Sequence, residues 1–256
     1  MAVPTLVISH PPHGAVDTRR ASRVLDLLLA EAGLKAGYQV PEIWLAPDDP
    51  ARARAAATEL GAAGCRVTVA PGEDLRDLPA QVPVEAVSFT DAGLVAALEE
   101  GDVRLPYDLP LVAVVCTPRV GALGAGRAGE PDGTGAWGTF VDLYAAPDGT
   151  LRRVGVLEGV TDFTALAGAA MIGAAARFLK FVAACEARLV RAVVDRRLTH
   201  LQLRRRRSSP PTRALQRKGF SFATPALTEL LVAISPALRD VSQCELSSRL
   251  VYLTRR

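Results

Sequence analysis

Short β-branched runs alternate with capped helical stretches over the first 70 residues, which restricts this part of the chain to a small sheet covered by helices. Thr5–His10 (TLVISH) is an apolar strand ended by Pro11 and Pro12. Asp17 or Thr18 caps a helix predicted to run to about Ala32, with Val24, Leu25, Leu28 and Leu29 at helical spacing and Gly33 as its stop. Val40–Ala46 reads as a second strand. Asp48 or Asp49, with Pro50 at the first helical position, opens a second helix ending near Gly61 or Gly64. Cys65–Ala70 is the third strand. The order β-α-β-α-β is that of a two-layer sandwich, expected as one domain over residues 1–72.

After an acid- and proline-rich connector, Pro71–Pro83, the pattern turns to hairpins. Glu85–Leu98 and Asp102–Leu109 flank Glu99–Gly101, and Leu109–Arg119 is apolar enough for a central strand. Phe140–Ala146 and Leu151–Gly159 flank Pro147-Asp148-Gly149-Thr150, and Asp-Gly suits a tight hairpin turn. Helices are predicted over Thr161–Leu198, over Pro225–Ile234 behind Thr224, and in a last segment opened by Ser235-Pro236. Residues 84–256 are therefore expected as a second domain of antiparallel hairpins, which could close into a small barrel, with a helical C-terminal region. The fold class is α+β.

Gly33-Leu34-Lys35-Ala36, a Pro-flanked strand, an Ala-rich helix, and Leu60 through Ala63-Gly64 to Val67 and Val69 form a recurring helix-to-strand pattern. Over residues 18–70 this resembles the small α/β fold of the ribosomal stalk protein's C-terminal domain and the ClpS adaptor. The resemblance implies a module that binds other proteins and catalyses nothing. The stalk domain's lysine-rich binding helix has no counterpart, because Lys35 is the only lysine before Lys180, so the resemblance carries over no partner.

Charge is unevenly distributed. Residues 1–176 hold 13 basic and 22 acidic side chains, a balance of −9, whereas residues 177–218 hold 13 basic and 2 acidic, a balance of +11. Arg177, Lys180, Arg188, Arg191, Arg196 and Arg197 lie on a predicted amphipathic helix whose apolar stripe is Phe178, Phe181, Val182, Cys185, Leu189 and Val193. Arg204, Arg205, Arg206, Arg207, Arg213, Arg217 and Lys218 follow around Ser208-Ser209-Pro210-Pro211. Dense guanidinium groups suit phosphate oxygens and gain from counterion release, so nucleic acid bound without sequence preference, or another polyanion, is one reading. An anionic membrane surface or an acidic protein is another, and a solvated face paired with the acidic body is the third. With aromatics at 5%, a stacking platform for many bases is not expected.

Other motifs argue less for chemistry. Gly124-x-Gly126-x-x-Gly129 matches a dinucleotide fingerprint in letters only. Thr117–Leu123 separate it from the preceding strand, and Glu130–Gly138 cannot open a helix, so a loop over Val120–Gly138 is expected. His10 and His13 place two imidazoles at the carboxyl end of the first strand, a candidate metal or ligand site without a third ligand nearby. No G-x-S-x-G occurs, and Cys116 lies inside an apolar strand. The cysteines, at 65, 116, 185 and 244, include no C-x-x-C pair, which suits buried thiols and a cytoplasmic protein. The N-terminus has no basic segment of a signal peptide, and the apolar run Phe163–Ala176 is 14 residues, short of the roughly 20 that span a bilayer. The expectation is a non-catalytic accessory protein that binds another protein, without cofactor. The alternatives are polyanion binding through residues 177–218 and a ligand or metal enzyme at His10 and His13.

Overall fold

The structure, a computed structural model, describes residues 3–117, 119–120, 139–166, 173–203, 225–239 and 241–256. The first unit comprises β1 (Thr5–His10), α1 (Thr18–Leu25), α2 (Leu29–Ala36), β2 (Ile43–Leu45), α3 (Pro50–Ala62) and β3 (Arg66–Pro71). The single helix expected from Thr18 to Ala32 is two helices. Asp26 takes the left-handed conformation (φ 50°, ψ 48°), and the Ser22 hydroxyl holds the turn by donating to the Leu27 carbonyl at 2.6 Å. Asp tolerates this region better than most residues, and the break lets Gly33 sit inside α2 rather than stop it. It also sets topology. A helix pair returns the chain reversed, so β2 joins β1 antiparallel, and the sheet order is β2-β1-β3 with both pairings antiparallel. α3 begins as the sequence predicts, with the Asp49 carboxylate accepting from the Ala51 amide at 2.8 Å and Pro50 in the first turn. Val7 and Cys65 on one sheet face pack against Ala21, Leu25, Ala53 and Leu60 of α1 and α3.

The chain continues through α4 (Gly72–Arg76), β4 (Val82–Pro83), β5 (Ala86–Phe89), β6 (Gly93–Leu98), β7 (Gly101–Pro106), β8 (Leu111–Cys116), β9 (Arg119–Val120), β10 (Phe140–Ala145), β11 (Arg152–Leu157), α5 (Ala174–Arg188), β12 (Ala192–Asp195), a 3₁₀ turn (Arg197–His200) and β13 (Gln202–Leu203). β8 has neighbours on both sides in a five-stranded sheet ordered β12-β8-β10-β11-β4, as its apolar run predicts. The β10–β11 hairpin turns at Gly149 (φ +85°), where a side chain would be strained. β5, β6 and β7 form a separate antiparallel sheet, and β13 pairs with β9. Among the described residues these sheets do not close into a barrel.

The helix expected over Thr161–Leu198 is corrected at both ends. Phe163 and Leu166 are buried, but they sit in a turn, and α5 starts at Ala174; residues 167–172 lie outside the described residues. α5 stops at Arg188, and Val193, assigned above to its apolar stripe, belongs to β12. β12 runs parallel to β8, pairing Ala192–Asp195 with Leu111–Val114. Its β-branched valines fit a pleated strand, and the exposed rim of β8 supplies hydrogen bonds that a continued helix would forfeit. Phe178, Phe181, Val182 and Cys185 of α5 pack with the β5–β7 sheet onto one face of the five-stranded sheet.

The C-terminal segment holds α6 (Pro225–Ile234), a 3₁₀ turn (Pro236–Leu238) and α7 (Gln243–Leu253). The last helix thus begins at Ser242, whose hydroxyl accepts from the Glu245 amide at 3.1 Å; Ser235-Pro236 opens only the 3₁₀ turn. α7 lies between the two main sheets. Its Leu246, Leu250 and Leu253 pack on Leu6, Ile8 and Ala70 of the N-terminal unit. Its Cys244 and Val251 pack on Val114, Cys116, Phe140 and Tyr144 of the five-stranded sheet. Residues 1–72 and 84–256 therefore share one helix.

Polar groups fix that helix. Asp142 of β10 and Arg153 of β11 are fully buried. Asp142 Oδ2 accepts from Arg153 Nε (2.9 Å), Arg153 Nη2 (2.6 Å) and Ser248 Oγ (2.5 Å), and Oδ1 accepts from Gln81 Nε2 (2.6 Å). With its proton on Asp142, the Ser248 oxygen accepts from the Tyr144 hydroxyl at 3.1 Å. Arg153 Nη1 and Arg249 Nη2 both donate to Glu245 Oε1, at 2.9 and 3.1 Å. Tyr144 and Tyr252 stack with centroids 4.3 Å apart. A network so oriented permits one rotation and one register of α7 on the sheet.

Candidate functional site

Alternation along β1 and β3 produces a gradient on the sheet face toward α7. The cross-strand pairs on that face are Leu6–Ala70, Ile8–Thr68 and His10–Arg66, apolar at one end and basic at the other. His10 is half-buried, and its Nε2 lies 2.6 Å from Thr68 Oγ1. His13, in the turn beyond β1, contacts Arg66 through its own Nε2.

Two distant segments converge on the same corner. Asp195, buried at the end of β12, accepts from Arg197 Nε at 2.9 and 3.0 Å and from Arg255 Nε at 2.7 Å. Arg197 also reaches Thr254 Oγ1 at 2.8 Å. Burial pushes the Asp195 carboxyl up, but hydrogen bonds from the Arg197 side chain and backbone and from Arg255 outweigh it and hold the group below the usual carboxylate range. His10 moves the other way for a base. Burial, then the positive charges of Arg197, Arg66 and Arg255, lower its pKa to about 4 against the partial opposition of Asp195. Three guanidinium groups and one carboxylate thus surround a neutral imidazole at pH 7.

An open cavity of about 540 Å³ wraps the outer edge of β3 here, lined by His10, by Cys65, Arg66, Val67 and Thr68 along the strand and, from α3, by Ala57, Thr58 and Gly61. β3 is an edge strand, so the cavity opens on both sheet faces.

Of the basic residues singled out in the sequence, the structure brings Arg197 to the corner of His10. Arg188 lies over the Phe89 ring at 5.1 Å, and Arg196 is paired with Glu186 at 2.7 Å. Arg191 is exposed. Arg204–Arg207, Arg213, Arg217 and Lys218 lie outside the described residues, as do residues 121–138 with the Gly124–Gly129 motif. Arg66 and Arg255 were missed. Their only sequence signal is one arginine opening a strand and another near the chain end, and nothing but strand register and the docking of α7 links them to His10. Among the described residues no group of three or more His, Cys, Asp or Glu is placed to hold a metal ion. All four cysteines are buried thiols, and burial pushes Cys185 up to about 12. No helix among the described residues is long and apolar enough to cross a membrane.

The fold and site define an α+β protein with a basic, histidine-bearing sheet edge. The chain matches no family model, no curated protein and no solved structure.

Proposed function

We propose that the protein is a non-catalytic accessory protein that binds an anionic polymer, nucleic acid without sequence preference, through the basic corner at His10. One observation carries this reading: the charges of Arg66, Arg197 and Arg255 all bear on His10, while the one carboxylate there, Asp195, is paired with Arg197 and Arg255 alone, leaving positive charge in excess where a phosphate backbone could lie. The chain then runs from Arg197 into Arg204–Arg207 within ten residues, so the same segment that builds the corner carries the densest arginine run. Fluorescence anisotropy with a labelled oligonucleotide tests it. Arg66→Ser should lower affinity and reduce the slope of log K against log salt by about one unit, as expected for one lost phosphate contact. Replacing Arg204–Arg207 with serine should flatten it further. Wild-type protein that ignores DNA and RNA at about 50 mM salt would overturn the reading.

A protein partner is the second reading, favoured by Leu28, Leu29 and Leu34, which are 69%, 50% and 66% exposed within seven residues of α2 and its entry. The resemblance of residues 18–70 to protein-binding modules points the same way. Leu28→Asp with Leu34→Asp should leave thermal stability unchanged and abolish capture of any partner that wild-type protein retains. Partners kept by the double variant would place the contact elsewhere.

A further inference from the structure

We infer that the cavity around the edge of β3 is a binding site for the phosphate group of a small phosphate monoester, seated between Arg66, His10 and Thr68. It rests on the same basic corner as the reading above but requires no polymer.

The argument starts from the chemistry of the lining. Arg66 presents a guanidinium fork, of which one arm faces His13, and the remaining donors suit the oxygens of a tetrahedral anion. Thr68 offers a hydroxyl, the Thr58 hydroxyl donates to the Arg54 carbonyl at 3.0 Å, and Gly61 leaves the α3 wall without a side chain. His10 is neutral at pH 7 and faces Thr68 through Nε2. The charged groups around it are Arg66 on β3, Arg197 and Asp195 at the end of β12, and Arg255 beyond α7; His13 stands beyond, across Arg66. A dianion placed among them opposes the three guanidinium charges that keep the imidazole unprotonated, so His10 takes up a proton as the anion binds. The second proton-bearing nitrogen then turns the Thr68 contact into a fixed donor and adds a cation to the site.

Size and composition select the ligand class. At about 540 Å³ and open to solvent along the strand edge, the depression has room for more than a bare anion. The residual wall, Ala57, Thr58, Gly61, Cys65 and Val67, is small and carries no aromatic ring. That favours a short polyol or sugar phosphate over a nucleotide, whose base would need a stacking surface.

The test uses the full chain. Sulfate, whose charge is constant between pH 5 and 7, is titrated while the His10 ring resonances are followed by NMR. Sulfate should shift them saturably and bind more tightly at pH 5 than at pH 7, with net proton uptake by calorimetry. Inorganic phosphate and ribose 5-phosphate are compared at pH 7. Tighter binding of either supports the site, the first pointing to free phosphate and the second to a monoester. Arg66→Ser should weaken both by roughly 10- to 100-fold, the scale of a charged hydrogen bond. His10→Gln, which removes the titrating ring, should abolish the pH dependence and the proton uptake while keeping the folded NMR spectrum. Unmoved His10 resonances in 50 mM sulfate and phosphate, or binding insensitive to Arg66→Ser, would overturn the proposal. An oligonucleotide titration in parallel separates the two readings. Polymer binding without anion binding sinks this inference alone, and anion binding without polymer binding sinks the other.

Discussion

Replacing Asp142 with asparagine removes the charge that holds the interior together while leaving its shape. In the native protein four donors from three elements aim at this one carboxylate, and Arg153 beside it is fully buried. An asparagine amide keeps one acceptor oxygen and turns an NH₂ group toward donors. Arg153 then retains only one carboxylate, that of Glu245, whose side chain is 30% exposed and already shared with Arg249. Breaking a buried pair by removing one partner costs about 3–5 kcal/mol, because an uncompensated charge remains inside. For a chain of 256 residues, each kcal/mol moves the melting temperature by roughly 2–4 °C, so Asp142→Asn should lower Tm by about 6–20 °C. Urea unfolding followed by circular dichroism should give the same loss as a lower midpoint with an unchanged slope. The companion variant is Asp142→Leu with Arg153→Met, which removes both charges and should recover most of the loss. A single variant within about 1 kcal/mol of wild type, or a double variant as damaged as the sum of its parts, would refute this account of the network.

Other perturbations follow from named contacts. Ser248→Ala removes one donor from Asp142 and strands the buried Tyr144 hydroxyl, which should cost about 1–3 kcal/mol in urea unfolding. Gly93→Ala places a Cβ 2.3 Å from the Leu105 carbonyl oxygen, at φ +154°, so the β6–β7 pairing must open; a loss of about 1–3 kcal/mol is expected, and an unchanged Tm would contradict it. His10 has a lower pKa folded (about 4) than unfolded (6.5), so the unfolded chain binds more protons between those values. Its contribution is complete above pH 6.5 and is lost as pH falls toward 4. Because the ring is only half-buried, water screening leaves on the order of 1–2 kcal/mol of this, and His10→Asn should remove that part of the stability–pH profile.

Much of the first unit was legible because its signals are local. Asp49 with Pro50 starts α3, Asp17 caps α1, and the β-branched runs at Thr5–His10 and Arg66–Ala70 are strands whatever packs on them. The Asp148-Gly149 hairpin was readable for the same reason, since its backbone conformation nearly dictates its residues. The left-handed break at Asp26 was not, because aspartate accepts that conformation without requiring it. At the C-terminal side of α5 the periodicity of Leu189 and Val193 mimicked a continued helix, and the decision came from β8, more than 70 residues away, offering a strand partner.

The candidate site divides the same way. His10 and His13 were visible as two imidazoles beside prolines at a strand end, and Arg197 as part of a basic run. That they belong to one place depends on strand register, which pairs His10 with Arg66, and on β12 and α7 delivering Asp195, Arg197 and Arg255 to the same corner. The sequence alone determined the α+β class, the positions of capped helices and apolar strands, and the charge contrast between residues 1–176 and 177–218. Tertiary structure alone decided which of those charges remain available. Arg153 is spent inside on Asp142 and Arg196 on Glu186, while Arg66 faces a cavity. The physical reason is range: propensity and capping act over a few residues and are written in neighbouring letters, whereas an ion pair or a shared site forms between residues that only the packed chain brings within a few ångströms.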